Sequence, residues 1–159
     1  DMGPMIHEGE ALRIESWVNT AVKAGAQLLT GGGREGSRYE PTVLTEVPAD
    51  AQVGCDEVFA PVVCLYPFDG LDDAIARAND TEYGLLTAIF TQDIDVAFHA
   101  VRELDCGGVM VNDSTDYRVD QMPFGGVKKS GLGREGIQFA LQEMTEPKVV
   151  CLNLQPIKR

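Results

Sequence analysis

Between residues 62 and 112 the chain alternates three apolar runs with two amphipathic ones, joined by short links. Residues 62–68 read as a strand bracketed by Pro61 and Pro67. Residues 85–91 read as a second strand and 109–112 as a third. The first intervening segment carries Leu71, Ala74, Ile75 and Ala78 at helical spacing, with Asp69 placed to cap it. The second carries Ile94, Ala97, Phe98, Val101 and Leu104, with Asp93 as its cap and Gly107 closing it. Strand, helix, strand, helix, strand with short connections is the pattern of parallel strands joined by crossover helices. Strands so uniformly apolar are expected to be covered on both sides. The expected fold is therefore α/β, a mostly parallel sheet with helices on both faces.

The flanks are consistent with this. Ala11, Ile14, Val18, Ala21, Val22 and Gly25 share a helical face, and Glu8 and Glu10 suit a helix N-terminus, so a helix is expected over residues 8–24. A short strand follows at 26–30, then a polar loop at 34–38, then a strand over 39–47 interrupted by Pro41. From 113 to 136 Gly, Pro, Ser and charged residues dominate, which reads as a long structured loop beyond a strand's carboxyl end, where open parallel sheets bind ligands. A short helix is expected at 137–144. Beyond Pro147, the residues from Val149 to Leu154 alternate as a last strand before a polar tail. Two parts are expected: 1–145 as a domain or piece of one, and 146–159 as a terminal strand and tail. Because Asp1 is no translation start and the text opens as if inside a domain, a chain cut from a longer one is expected.

Charge narrows the partners. With 13 Lys and Arg against 25 Asp and Glu, the formal charge is −12. Such a field repels phosphate backbones and anionic lipid, so neither nucleic acid nor a membrane is expected. No apolar run approaches the roughly 18 residues of a membrane span. The four cysteines form no C-x-x-C and have no histidine at ligand spacing, so no metal site or disulfide framework is expected, and a reducing cytoplasmic setting is. Cys64 and Cys151 lie in apolar runs and read as small buried hydrophobes.

Several candidates carry chemistry, each beside a plainer alternative. Gly131-Leu-Gly133-Arg-Glu-Gly136 spells G-x-G-x-x-G, but no acid follows at the required distance, so a dinucleotide loop is disfavoured. Lys129-Ser130 lacks the glycine a P-loop needs. Glu57 and Phe59, two apart before an apolar strand, lie on one side of an extended chain. They could accept sugar hydroxyls and cover a flat heterocycle, or be a solvated carboxylate beside a core ring. Arg118, next to Tyr117, could bind an anion, or pair with Asp116 or Asp120. His7 and His99 are isolated, with His99 on the exposed face of its helix. Cys106 ends a helix and lacks the electropositive setting of a reactive thiolate.

Taken in order, the segments Gly3-Pro4-Met5-Ile6, Gly25-Ala26-Gln27-Leu28-Leu29-Thr30-Gly31-Gly32 and Glu57-Val58-Phe59-Ala60-Pro61-Val62 resemble the NAD(P)-dependent aldehyde dehydrogenase superfamily. So do the later ones: Ala78-Asn79-Asp80-Thr81-Glu82-Tyr83-Gly84-Leu85, Gly108-Val109-Met110-Val111-Asn112, the run from Pro123-Phe124-Gly125-Gly126 to Gly136, and Met144-Thr145-Glu146-Pro147-Lys148. The resemblance implies oxidation of an aldehyde to an acid with NAD or NADP, through a cysteine thiohemiacetal and a thioester hydrolysed by activated water. It also implies that nucleophile, general base and nucleotide-binding domain lie upstream, so this chain holds no catalytic residue and is expected to be inactive alone. By motif, Glu57 would bind the nicotinamide ribose and Phe59 would pack near the nicotinamide. Phe124 would sit near the aldehyde tunnel, with Tyr117 and Arg118 at the substrate entrance, in the manner of branches handling lactaldehyde-like or anionic aldehydes. Asn112 and Glu135 would support that site, and the strand from Val149 to Leu154 would build a homodimer or homotetramer. The alternatives are a stand-alone nucleotide-binding module using Gly131 to Gly136, and a non-enzymatic oligomerisation module.

Overall fold

The computed structural model describes residues 2–154 and divides into two compact units, one ending at Asp69 and the other beginning at Gly70.

The first unit opens with helix α1 (Glu8–Lys23). Its cap is His7, whose Nδ1 accepts the Glu10 amide at 3.2 Å, a role the isolated histidine did not announce. The predicted face is the packed one: Ala11, Ile14, Val18 and Ala21 are all buried, while Val22 is partly exposed. Strand β1 (Gln27–Thr30) follows, then a hairpin of β2 (Arg34–Glu35) and β3 (Arg38–Tyr39), then β4 (Thr42–Thr45), the short helix α2 (Gln52–Cys55) and β5 (Val62–Leu65). The hairpin stands where a polar loop was expected. It is held to α1 by Arg34, whose Nε donates to Glu15 at 2.9 Å and whose Nη1 donates to Glu8 at 3.1 Å. These are contacts that no local pattern encodes.

Strand β4 is central, antiparallel to β1 and parallel to β5, with Thr42 opposite Val62 and Leu44 opposite Cys64. Leu44 is fully buried among Ile14, Val18, Val47 and Val53. Within this unit β5 is covered on one side and exposed on the other. Val62 and Cys64 pack on the core, but Val63 is 53 % and Leu65 48 % exposed. β5 is the edge of a three-stranded sheet, and the unit's buried core accounts for only one of its faces.

The second unit contains α3 (Leu71–Asn79), β6 (Tyr83–Gly84), β7 (Leu86–Ile89), α4 (Ile94–Glu103), β8 (Gly108–Val111), β9 (Val127–Lys128) and α5 (Ile137–Met144). Strands β7 and β8 pair in parallel across α4, the expected crossover unit. The fold is α/β, as expected. Gly70 holds the N-cap position of α3, one residue past the expected Asp69. Asp93 caps α4 as expected, its Oδ1 accepting the amides of Asp95 at 2.8 Å and Val96 at 3.2 Å.

Helix α4 turns a different face inward than its apolar spacing suggested. Ala97 and Ala100 are buried, whereas Ile94 and Phe98 are exposed. His99, expected on the exposed face, is half-buried with Nε2 2.7 Å from Asp72 of α3. Asn79 joins the far ends of α3 and α4, donating to the Glu103 carbonyl at 2.7 Å and accepting the Asp105 amide at 2.8 Å.

Residues from Val149 to Leu154 form no strand, and Val149 is 93 % exposed. A strand needs a partner for its amides, and none of the described residues pairs with this segment. Cys151 is exposed rather than buried for the same reason, and all four cysteines are free thiols. The tail beyond Leu154 lies outside the described residues. Among them, no helix is long and apolar enough to cross a membrane, and no group of three acidic, histidine or cysteine side chains is arranged to hold a metal ion.

Candidate functional site

In the first unit the chemistry gathers in the turn before β5. Val58 and Ala60 pack against the core, so Glu57 and Phe59 project outward. Both are exposed, Phe59 at 79 %, so the ring is not a core residue. Phe59 also has φ +49°, in the left-handed region that an aromatic residue rarely occupies, at a cost of about 1–3 kcal/mol. The turn is held on both sides. The Pro61 carbonyl accepts the Thr42 amide at 2.8 Å, opening the β4–β5 ladder, and the Val58 carbonyl accepts from Nη2 of Arg13 at 3.1 Å.

Arg13 is itself fixed. Its Nε donates to Glu10 at 2.8 Å, and its guanidinium lies 4.3 Å above the Trp17 ring centroid. Sequence reasoning missed this residue. Its spacing to Glu10 and Trp17 on a predicted helix signalled the cluster, but the link to Val58, 45 residues away, had no local signal. Cys64 and Tyr66 lie just beyond the turn, and burial pushes the ionisation of both upward. The unit also has a cavity of about 600 Å³ lined in part by Arg34, Arg38, Tyr39 and Glu40, and none of the predicted site residues lines it.

In the second unit the long loop after β8 contains a short strand and an isolated bridge. Asn112 ends the strand at φ +59°, a conformation Asn tolerates. Its Oδ1 accepts the Thr91 amide at 2.8 Å and its Nδ2 donates to the Thr91 carbonyl at 2.7 Å. Asn112 thus ties the ends of β7 and β8 together. Further on, β9 pairs antiparallel with β6, so a two-residue strand lies where loop was expected. Phe124 and Glu135 oppose each other in an antiparallel bridge, the Phe124 amide donating to the Glu135 carbonyl at 3.0 Å and the Glu135 amide to the Phe124 carbonyl at 2.6 Å.

Arg118 meets both of these residues. Its guanidinium lies 4.1 Å above the Phe124 ring centroid, and its Nη2 donates to Oε2 of Glu135 at 2.7 Å. The ion pair expected with Asp116 or Asp120 is replaced by one with Glu135; Asp116 instead accepts from the Ser114 hydroxyl. Tyr117 is exposed. Three of the predicted residues, Arg118, Phe124 and Glu135, are therefore brought together. The G-x-G-x-x-G segment makes no dinucleotide turn. Gly131, Gly133 and Gly136 have φ of +133°, +70° and +120°. The strand before them, β9, is antiparallel to β6 rather than part of a parallel crossover.

This architecture is shared with known enzymes. The sequence matches the Aldehyde dehydrogenase family over residues 1–150. The chain belongs to that family. It is 56% identical over 96% of its length to an aldehyde-dehydrogenase-like protein of Sinorhizobium fredii, covering 30% of that protein. It is 51% identical over 97% of its length to aspartate-semialdehyde dehydrogenase 1 of Pseudomonas canavaninivorans, covering 33% of it. For 3-sulfolactaldehyde dehydrogenase of Priestia aryabhattai the values are 49%, 97% and 32%. The crystal structure of aldehyde dehydrogenase 21 from Physcomitrella patens with the reaction product succinate superimposes with a TM-score of 0.89 at 47% identity, over 91% of this chain and 30% of that one. The chain spans about a third of the length of these relatives.

Proposed function

We propose that the chain is the cofactor-facing and substrate-facing part of an NAD(P)-dependent aldehyde dehydrogenase that oxidises aldehydes bearing an anionic group, or a hydroxyl close to the carbonyl. The observation that carries the reading is the outward, strained Glu57–Phe59 turn, held from behind by Arg13. An exposed aromatic residue kept in an unfavourable backbone conformation points to function more than to packing.

The turn suits a nicotinamide nucleotide. Glu57 offers two acceptor oxygens to ribose hydroxyls, and Phe59 offers a flat apolar face to a ring. NAD(P)+ bound there would serve as the hydride acceptor. Glu57 would orient the ribose, the Arg13 bond to the Val58 carbonyl would hold Glu57 and Phe59 in register, and Phe59 would keep water from one side of the ring. The nucleophilic cysteine and the general base belong to the remainder of the enzyme, so the 159-residue chain alone should yield no NADH above a blank. Sequential apolar residues from Val149 to Leu154, exposed here, would join a partner subunit's sheet.

Substrate class rests on Arg118, and relatives named for 3-sulfolactaldehyde and aspartate semialdehyde support an anionic aldehyde. The test of the cofactor assignment is Glu57→Gln in the complete enzyme. Loss of a charge-assisted hydrogen bond contributes about 1.5–3 kcal/mol, so kcat/KM for the cofactor should fall by roughly 10- to 150-fold. Kinetics within about twofold of the parent enzyme would return Glu57 to an ordinary solvated carboxylate.

A further inference from the structure

The G-x-G-x-x-G segment has no dinucleotide task here, yet its geometry is specific. Three glycines with positive φ let the backbone double back, and Arg134 fixes the fold by donating from Nη1 to the carbonyls of Gly133 at 2.7 Å and Gly126 at 3.0 Å. The result is to deliver Glu135 opposite Phe124 and onto Arg118. One face of the guanidinium lies on the aromatic ring, and one of its N–H groups is taken by the carboxylate. Arg carries five such donors in one plane, so the bond to Glu135 leaves in-plane donors for a second acceptor. The cation that would attract an anionic aldehyde is thus both held in place and partly neutralised by the same side chain.

We propose that Glu135 is a specificity-setting positioning residue: its carboxylate holds Arg118 flat on Phe124 and, by compensating that charge, sets how strongly the substrate mouth discriminates between anionic and neutral aldehydes. The inference rests on the reading of Arg118 as the anion-recognising group. It separates two effects that a single truncation would confuse. Gln at position 135 keeps the length and a carbonyl oxygen able to accept the Arg118 bond, but removes the compensating charge. Ala removes both the hold and the charge.

The experiment is steady-state kinetics of the complete enzyme with saturating cofactor, on two four-carbon probes: succinic semialdehyde, which is anionic, and butanal, which is neutral. Glu135→Gln should lower the ratio of KM for succinic semialdehyde to KM for butanal by about two- to fivefold, the scale of a half-exposed ion pair. The gain should shrink as salt rises, because the pair is solvent-accessible. Glu135→Ala, with Arg118 released, should lose that gain. Arg118→Ala should remove the preference for the anionic probe. If Arg118→Ala lowers the anionic-to-neutral ratio but Glu135→Gln leaves it unchanged, or depresses both probes equally, the role of Glu135 is overturned while Arg118 stands. If Arg118→Ala leaves the ratio unchanged, the anion reading itself falls and the role of Glu135 falls with it.

Discussion

Gly107 is where the loop carrying Phe124 presses hardest on the rest of its unit. A Cβ built there would lie 1.7 Å from the Gly125 carbonyl oxygen and 3.0 Å from the Gly126 Cα. Both neighbours are backbone, so no side chain can rotate away. To reach ordinary contact at 3.4 Å, the Gly125 carbonyl must recede by about 1.7 Å. Gly107 also donates its amide to the Gly84 carbonyl at 2.9 Å, so it cannot yield without loosening the approach to β6. Gly107→Ala should therefore cost at the upper end of the overpacking range of about 1–3 kcal/mol. At roughly 2–4 °C per kcal/mol for a chain of this size, the melting temperature should fall by several degrees. The displacement begins next to Phe124, so the complete enzyme should also lose its grip on the anionic probe as Arg118 loses its ring. Thermal melts followed by circular dichroism check the first effect and the two-aldehyde comparison checks the second. Gly3→Ala, with nothing within 4 Å of its Cβ, is the control. A Gly107→Ala variant melting with the control would show that the two backbones do not meet as described.

Other expectations test the first unit and the terminus. Leu44→Ala, at a fully buried position in the central strand, should cost about 2–5 kcal/mol in denaturant unfolding. The Tyr39 hydroxyl is buried with no hydrogen-bond partner among the described residues, and burial pushes its ionisation above the ordinary 10.0. The fold holds this proton more tightly than the unfolded chain does, so the associated stability is complete below the ordinary value and is lost as pH climbs past it toward the folded value. Tyr39→Phe should flatten that alkaline decline without lowering the neutral-pH melt, leaving the part due to Cys64 and Tyr66, which are shifted in the same direction. Removing residues 147–159 from the complete enzyme should lower its mass by light scattering, and an unchanged mass would refute the intersubunit strand.

Much of this protein is local, and what is local was legible. The α1 face of Ala11, Ile14, Val18 and Ala21 follows from helical period alone, and the Asp93 cap follows from a side-chain oxygen placed beside free amides. The crossover from β7 through α4 to β8 follows from the order of apolar runs. Glu57 and Phe59 were marked by the alternation of an extended chain; both do project outward, but from a turn in which Phe59 has positive φ. Tertiary structure decided what depends on residues far apart in the chain. It turned α4 so that Ala97 and Ala100 are buried while Ile94 and Phe98 are exposed. It left Val149 to Leu154 without a ladder among the described residues, because pairing requires a second strand that no sequence run contains. It bonded Arg13 to the Val58 carbonyl across 45 residues and Arg118 to Glu135 across 17. Periodicity can place a charge on a surface, but the choice of its counter-charge is made by chain folding, because Coulombic attraction acts through space rather than along the sequence.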